Sequence, residues 1–249
     1  MIHLETPFNP AGEASSIKYF AEEAHKRGAY LVVDSKFGPR IQDPFALGAD
    51  IVMHSGTKYF GGHHDLLCGT LSITPHREQE WFKTLHEQRT ILGSVLGSME
   101  VWLGLRSLRT LELRVRRQSE NATSLVRWLS EQLNAEDNPI EATVSAVRHA
   151  SLQTEDMHWL QEQMPNGFGP VFALEMKTEE MSRRLTGLLE LFQHATSLGG
   201  VESQIEWRKL VDPSSKPVLF RVSVGVEHID DLKADLLQGL ESLLQTTHD

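Results

Sequence analysis

The sequence predicts an α/β fold, with a parallel sheet in the N-terminal half and a smaller α/β domain in the C-terminal half. Helical periodicity over residues 15–28 leads directly into an apolar run at 29–33, and a second apolar run follows at 49–53. Strands that alternate with helices in this way are typical of parallel sheets with crossover connections. A further alternation of strand and helix patterns after residue 139 predicts the second domain.

The first helix is predicted from its ends and from its apolar face. Ser15 and Ser16 are suitable N-cap residues, and Gly28 is a suitable C-terminal stop. Between them, apolar residues recur at helical spacing, namely Ile17, Phe20, Ala21 and Ala24. A strand starts immediately afterwards, so Asp34 is expected at the C-terminal tip of a buried strand.

The remaining elements follow from the same periodicities. An apolar strand is expected over residues 66–73, and the pattern then becomes helical over 81–92, 95–108 and 111–133. The run Asn134–Pro139 is the best boundary signal, so we expect a large domain at 1–138 and a small domain at 139–249. In the small domain we expect strands at 144–147, 171–176 and 218–224, and helices at 179–192 and 229–244.

Composition excludes several classes of protein. The 249-residue chain is 40% hydrophobic, enough for one sizeable core or two modest ones. Its net charge of −10 opposes binding to nucleic acid and to anionic membranes. No apolar run approaches the roughly 20 residues of a membrane span, and residues 1–5 lack the features of a signal peptide. With Cys68 as the lone cysteine, we expect a cytoplasmic protein without an internal disulfide.

The most informative segment is the stretch His54–His63, which follows the second apolar run. Lys58 lies there among hydroxyls and glycines, a setting in which a lysine can form a Schiff base with an aldehyde cofactor. Asp34 ends the neighbouring strand, and the carboxyl ends of parallel strands face one crevice. A lysine for the aldehyde and an acid for the ring nitrogen are the two charged groups that pyridoxal phosphate needs.

Hydroxyl groups on either side of the lysine suit the phosphate of such a cofactor. Ser55 and Thr57 can each donate a hydrogen bond to a phosphate oxygen. The same segment contains glycines that allow close backbone approach, namely Gly56, Gly61 and Gly62. The phosphate is therefore expected beside Lys58.

Several motifs in order span nearly the whole chain: Glu5–Pro10, Val32–Asp34, Gly48–Val52 with Ser55–His63, Ser197–Ser203 and Arg221–Glu227. Together they resemble the cystathionine γ-synthase/β-lyase family, which comprises pyridoxal-phosphate enzymes of cysteine and methionine metabolism. The resemblance implies an aspartate-aminotransferase-like fold of type I, with a partial large domain and a smaller C-terminal α/β domain.

The resemblance also implies a role for each matching residue. It implies that Lys58 is the Schiff-base lysine, Asp34 the partner of the pyridine nitrogen and Asn9 a partner of the cofactor's 3-hydroxyl, with Ser55 and Thr57 as phosphate contacts. Arg221 and the backbone around Ser197 are implied to bind the substrate's α-carboxylate, for which the planar fork of arginine is well shaped. A homodimer or homotetramer acting on a small amino acid is the implied assembly.

The chain departs from the family pattern in three places. The family's Glu-Thr-Pro-x-Asn-Pro motif normally lies well inside the large domain, whereas here it begins at Glu5. We therefore expect the first third to be missing, including a helix N-terminus that binds phosphate, which would weaken cofactor binding. Lys36 stands where the family commonly has threonine, and the segment 207–216 differs from the family's usual substrate-side sequence.

Each feature also has an ordinary structural interpretation. In that interpretation Lys58 is a surface loop residue, Asp34 is a loop cap, and Arg221 is a strand residue paired with Glu227 or Glu202. The neighbouring trio His63, His64 and Asp65 suggests a metal, but three adjacent residues do not readily converge on one ion. The arginines at 106–117 have glutamates among and beside them, namely Glu100, Glu112 and Glu120, which favours a solvated or intersubunit helix face.

Two functional hypotheses follow. In the first, the protein is a pyridoxal-phosphate enzyme of trans-sulfuration, which carries out elimination or replacement at Cβ or Cγ of a sulfur amino acid or an acylated homoserine. Cystathionine γ-synthase and cystathionine β- or γ-lyase activities use the same residues, so the sequence leaves that choice open. In the second, the chain is a truncated, catalytically incompetent remnant or a non-catalytic partner of a full-length relative.

Overall fold

The computed structural model describes residues 1–245, and two sheets lie within this range. The first sheet has the strand order β1 (Ile2–Glu5), β2 (Leu31–Asp34), β3 (Ile51–Ser55) and β4 (Gly69–Ile73). The strands β1, β2 and β3 are parallel, and β4 pairs with β3 in the antiparallel direction. The parallel pairing of the two apolar runs is confirmed, so the C-terminal ends of β2 and β3 lie side by side.

Helix α1 (Ile17–His25) packs against this sheet. The Ser16 hydroxyl accepts a hydrogen bond from the backbone N–H of Tyr19 at 3.3 Å, as expected for a capping serine. The shared core consists of apolar residues from the helix, the strands and their connections: Leu4, Ile17, Ala21, Ala24, Leu31, Val33, Ala49 and Val52. This packing holds β2 and β3 in register and thereby fixes the strand ends that precede Lys36 and Lys58.

Three helices follow the first sheet: α2 (Glu78–Ile91), α3 (Ser98–Leu108) and α4 (Leu111–Leu133). The bounds predicted for α4 are confirmed, and α2 and α3 lie within or close to their predicted ranges. None of the helices in residues 1–245 is both long enough and apolar enough to cross a membrane.

Helix α4 contributes to two hydrophobic clusters. Near its start, Leu111 and Val115 are buried in a cluster that also contains Tyr59. Near its end, Leu125 and Leu129 are fully buried in the core of the C-terminal half. One continuous helix therefore packs both beside the Lys58 segment and against the second sheet.

The second sheet has the strand order β5 (Val144–Arg148), β6 (Val171–Met176), β9 (Leu219–Ser223), β8 (Gln204–Trp207) and β7 (Gln193–His194). Its strands pair antiparallel except for β7 and β8. The helices of this half are α5 (Pro139–Thr143), α6 (Met157–Gln163), α7 (Glu179–Leu185), α8 (Arg208–Val211) and α9 (Ile229–Gln245). The expected α/β character of the C-terminal half is confirmed.

The helix predicted over residues 179–192 ends at Leu185, so that prediction was wrong. Beyond it, the backbone N–H groups of Glu190, Leu191 and Phe192 donate to the carboxylate of Asp235 at 2.8–3.0 Å. These groups are not available for helical hydrogen bonds, because each is bound to a side chain. The chain turns instead and enters β7.

Candidate active site

Lys58 lies in the tight turn that follows β3. The turn is closed by backbone hydrogen bonds from Lys58 N to Ser55 O at 3.1 Å and from Gly62 N to Lys58 O at 2.7 Å. A β-carbon at Gly56 would lie 2.2 Å from the Cys68 Sγ, so a larger residue here would have to displace that side chain. The glycines of the segment thus allow a compact turn, as their number in the sequence indicated.

The amine of Lys58 points toward the C-terminal half of the chain. Its Nζ donates a hydrogen bond to the Ser197 hydroxyl at 3.3 Å. Burial lowers the pKa of Lys58, the positive charges of Arg221 and Lys36 lower it further, and the carboxylate of Glu206 opposes them. A lowered pKa increases the fraction of free amine, which is the form that attacks an aldehyde.

Asp34 ends β2 and is buried. Its carboxylate accepts hydrogen bonds from the backbone N–H and from the Nζ of Lys36, each at 3.1 Å. Lys36 also forms an ion pair with Glu5, the last residue of β1. Burial lowers the pKa of the adjacent His54, and the negative charge of Asp34 opposes that shift.

Arg221 lies on β9, directly opposite Glu206 on β8. The guanidinium contacts the buried Glu206 carboxylate at 2.6 Å and donates to the backbone oxygens of Thr196 and Ser197 at 2.7 and 2.8 Å. It also donates to the Asn9 side-chain oxygen at 3.4 Å. Arg221 is therefore held rigidly between the loop at 196–197 and the segment after β1.

The ordinary interpretation of Arg221 expected a pair with Glu227 or Glu202, and the structure gives a different partner. Glu227 accepts hydrogen bonds from the backbone and hydroxyl of Ser203 at 2.6 and 3.0 Å. Glu202 lies 3.7 Å from His64. Glu206 is the carboxylate partner of Arg221 instead, because the register of β8 and β9 places it opposite Arg221.

The two predicted phosphate-binding hydroxyls differ in their surroundings. The Thr57 hydroxyl accepts from the backbone N–H of Cys68 at 3.2 Å and donates to its oxygen at 3.4 Å. Within residues 1–245, the Ser55 hydroxyl has no hydrogen-bond partner among the contacts of the chain. Ser55 is therefore the hydroxyl that is free to bind an added group.

The loop at 197–200 approaches the Lys58 turn closely. Gly199 has a φ of +83°, and a β-carbon there would lie 3.0 Å from the Lys58 carbonyl carbon and from the Tyr59 nitrogen. The Gly199 N–H donates to the Ser223 hydroxyl on β9 at 3.0 Å. Only glycine fits this contact, which joins the two halves of the site.

The predicted residues fall into two connected groups. Lys58 contacts Ser197, and Ser197 in turn contacts Arg221, which also reaches Asn9. Asp34 stands at the adjacent strand end and is linked through Lys36 to Glu5. Sequence reasoning did not assign a role to Glu5 or Glu206; in each case the signal is strand register, which a single sequence does not provide.

The donor set fits an aldehyde-bearing aromatic cofactor with a phosphate. A free amine with a lowered pKa, a buried carboxylate at the next strand end and an unengaged hydroxyl at Ser55 supply the three kinds of contact required. Among the described residues, 1–245, no group of three metal-ligating side chains is arranged to hold an ion.

Comparison with known proteins gives a consistent result. Residues 1–241 match the model of the Cys/Met metabolism PLP-dependent enzyme family. The chain is 35% identical to a cystathionine gamma-lyase of Dictyostelium discoideum, covering 97% of this chain and 62% of the relative. It is 36% identical to a cystathionine gamma-synthase of Mycobacterium tuberculosis, covering 96% of this chain and 61% of the relative.

Solved structures show the same likeness. A methionine gamma lyase from Micromonospora echinospora superposes with a TM-score of 0.85 at 33% identity, over 96% of this chain and 64% of that one. A cystathionine gamma synthase from Xanthomonas oryzae pv. oryzae, solved with aminoacrylate and cysteine, gives a TM-score of 0.85 at 32% identity. The match covers 98% of this chain and 63% of the synthase. The chain thus spans less than two thirds of the length of these relatives. It belongs to the family of Cys/Met metabolism PLP-dependent enzymes and has their aspartate-aminotransferase-like, type I α/β fold.

Proposed function

We propose that this chain forms the active site of a pyridoxal-phosphate-dependent trans-sulfuration enzyme. The observation that carries the proposal is one partly buried amine, Lys58, which is joined to Arg221 through Ser197 and whose pKa is lowered by burial, by Arg221 and by Lys36, the lysine bound to Asp34. When bound, pyridoxal phosphate supplies an electron sink for negative charge that develops at the substrate's Cα. Lys58, Asp34, Ser55, Thr57 and Asn9 would hold it.

The chain's own residues would provide the remaining steps. The free amine of Lys58 would take the proton from Cα, because its lowered pKa favours the unprotonated base. Arg221 would bind the α-carboxylate of the substrate together with the backbone around Ser197. Its guanidinium is already oriented by the Thr196 and Ser197 oxygens, so little ordering is needed on binding.

The substrate proposed is a sulfur amino acid or an acylated homoserine, with loss or replacement of the group at Cβ or Cγ. Relatives named cystathionine gamma-lyase, cystathionine beta-lyase and cystathionine gamma-synthase match with similar identities of 34–36%. Lyase and synthase would use the same Lys58, Asp34 and Arg221. Product analysis with cystathionine, cysteine and acyl-homoserine distinguishes them.

We propose that the working form is a homo-oligomer. Support comes from a row of exposed apolar side chains on α2, α3 and their connection, which we call the 91–105 surface: Ile91, Leu92, Val95, Met99, Trp102 and Leu105. Contiguous exposed apolar residues of this kind mark interaction sites. A second copy of the chain would cover them.

We also propose the division into domains at residues 1–138 and 139–249, and a cytoplasmic location. The division is supported by Asn138, whose side chain accepts from the N–H groups of Ile140 and Glu141 at 3.0 Å and so caps the first helix of the second unit. The location is supported by the single cysteine, Cys68, which is free.

The proposed function is tested by cofactor binding to the purified chain. The wild type, Lys58→Ala and the exposed-lysine control Lys83→Ala are titrated with pyridoxal phosphate, followed by borohydride reduction and peptide mass analysis. We expect a visible absorption band and a reduced adduct on Lys58 in the wild type and in the control, and neither in Lys58→Ala. Equal labelling of all three proteins, or no band, would favour the non-catalytic remnant.

A further inference from the structure

The carboxylate of Asp34 is already occupied by a cation of the same chain. Lys36 binds Asp34 Oδ1 through its backbone N–H and Oδ2 through its Nζ, each at 3.1 Å. The same Nζ forms an ion pair with Glu5. A lysine thus stands where a protonated ring nitrogen would bind if Asp34 is its partner.

The three charges are shielded from water. The side chains of Lys36 and Glu5 are 17% and 25% exposed, and that of Asp34 is 11% exposed. Interactions between charges at such depth are weakly screened by salt and solvent. The sum of charges in this group therefore affects whether a further cation binds.

Charge balance distinguishes the roles of the two carboxylates. Lys36 and Asp34 alone would neutralise each other and leave no net attraction for a pyridinium. With Glu5, the group of one cation and two anions has one negative charge left. Strand register explains why Glu5 is available, since β1 and β2 are parallel and Glu5 is paired with Asp34.

We propose that Glu5 is a positioning residue for the cofactor, which holds the ammonium of Lys36 so that Asp34 remains available to the ring nitrogen. The proposal rests on the proposed function, because it takes Asp34 as the partner of that nitrogen. It assigns Glu5 no contact with substrate or cofactor. Lys36 stays on Glu5 when Asp34 is engaged, and it returns to both carboxylates when the site is empty.

The experiment compares Glu5→Gln, Lys36→Met and the double variant with the wild type and with Lys58→Ala. The dissociation constant of pyridoxal phosphate is measured by absorption and by tryptophan fluorescence, and thermal unfolding of each cofactor-free protein is measured in parallel. Glu5→Gln leaves the group neutral, and we expect it to weaken binding about tenfold, which corresponds to the loss of one partly buried charge interaction. In the double variant, Asp34 again carries one uncompensated charge, and we expect binding within about threefold of the wild type.

Restoration of binding by removal of Lys36 is the result that a merely structural role of Glu5 does not produce. Thermal unfolding checks this point, because Glu5→Gln retains the Lys36–Asp34 pair and is expected to keep its Tm within about 3 °C of the wild type. Wild-type affinity in Glu5→Gln, or a double variant no better than Glu5→Gln, would overturn the proposal.

The outcomes separate this proposal from the proposed function. Binding by the wild type that is lost in Lys58→Ala supports the proposed function whatever the Glu5 variants show. If the wild type fails to bind and Lys36→Met binds, Glu5 does not keep Asp34 available in the wild type, and the proposal is overturned, although the Lys58 site itself can still bind the cofactor. If no variant binds, both the proposal and the proposed function are overturned.

Discussion

Lys58 donates a hydrogen bond from its Nζ to the Ser197 hydroxyl at 3.3 Å, although 139 residues separate them in sequence. The contact joins the turn after β3 to the loop that also holds Arg221 through the Thr196 and Ser197 oxygens. The amine and the guanidinium are therefore positioned by one shared loop, and their separation does not depend on either side chain alone.

Replacement of Ser197 by alanine should remove its contact with Lys58 and leave the surrounding fold intact. Ser197→Ala removes the hydroxyl but retains the backbone oxygen bound to Arg221. We expect a loss of about 1 kcal/mol in the free energy of unfolding, the usual contribution of one hydrogen bond, measured by urea denaturation. Ser145→Ala, which removes another partly buried hydroxyl on β5 of the second sheet, is the control for cofactor labelling, and we expect it to leave that labelling unchanged.

Gly199 should not accept a side chain. In Gly199→Ala the new methyl would lie 3.0 Å from the Lys58 carbonyl carbon, in a backbone with φ of +83°. We expect loss of pyridoxal-phosphate binding and a lower Tm. Gly28→Ala is the matched control, because its φ of +63° imposes strain of about 1 kcal/mol without any atom within 4 Å. Equal effects of the two substitutions would show that backbone strain alone, not the contact with Lys58, is responsible.

The pair between Glu206 and Arg221 should be important for stability. Both side chains are almost fully buried, and their contact is 2.6 Å. Glu206→Gln leaves the guanidinium groups of Arg221 and of Arg208, which also contacts Glu206 at 3.0 Å, without their countercharge, and we expect about 3 kcal/mol of destabilisation by urea unfolding. The exposed Glu180→Gln serves as control and should cost far less. A small effect at Glu206 would mean that the Thr196 and Ser197 oxygens suffice.

Acid should destabilise the chain through His149. Its ring is buried, with Nε2 at 3.0 Å from the Gly169 oxygen, and burial lowers the pKa of His149 to about 4. The unfolded state binds the proton near pH 6.5, so stability is lost as pH falls from about 6.5 to about 4, with a total of about 3 kcal/mol. In urea unfolding at a series of pH values, His149→Gln should reduce the pH dependence of the free energy of unfolding in this range. The exposed His86→Gln should not.

The reactivity of Lys58 should depend on Lys36. Because the positive charge of Lys36 lowers the pKa of Lys58, Lys36→Met should raise that pKa. The rate of borohydride-trapped labelling at Lys58 would then reach its half-maximum at a higher pH than in the wild type. Mass analysis of the Lys58 peptide across a pH series measures this shift. An unchanged or lower midpoint would contradict it.

Sequence reasoning placed Asp34 and Lys58 at one end of the sheet because both residues stand at predictable places. Asp34 ends an apolar strand, and Lys58 follows the next one among glycines, so periodicity and turn chemistry were sufficient to bring both to one end of the sheet. The bounds of α4 were likewise predictable, since a long amphipathic stretch is the strongest single-sequence signal.

Contacts that depend on register or on distant carboxylates were not predictable. Glu206 opposes Arg221 only because of how β8 and β9 pair, and Asp235 binds the backbone of residues 190–192, where a helix was predicted, from 43 to 45 residues away. The short strands β1, β7 and β8 also escaped prediction, because polar and charged residues interrupt them, whereas the equally short β2 is an apolar run. These contacts are defined by strand pairing, which the pattern of residues along a single sequence does not reveal.

Helix α4 has a consequence for recombination between relatives. Its first turns pack beside Tyr59, while Leu125 and Leu129 are interior to the C-terminal half. A chimera joined at residue 138 would combine the helix of one parent with the strands of another and create a mismatched core. A junction before Leu111 would instead transfer the helix together with the strands that it covers. The contact between the start of the helix and Tyr59, beside Lys58, would then join residues from different parents.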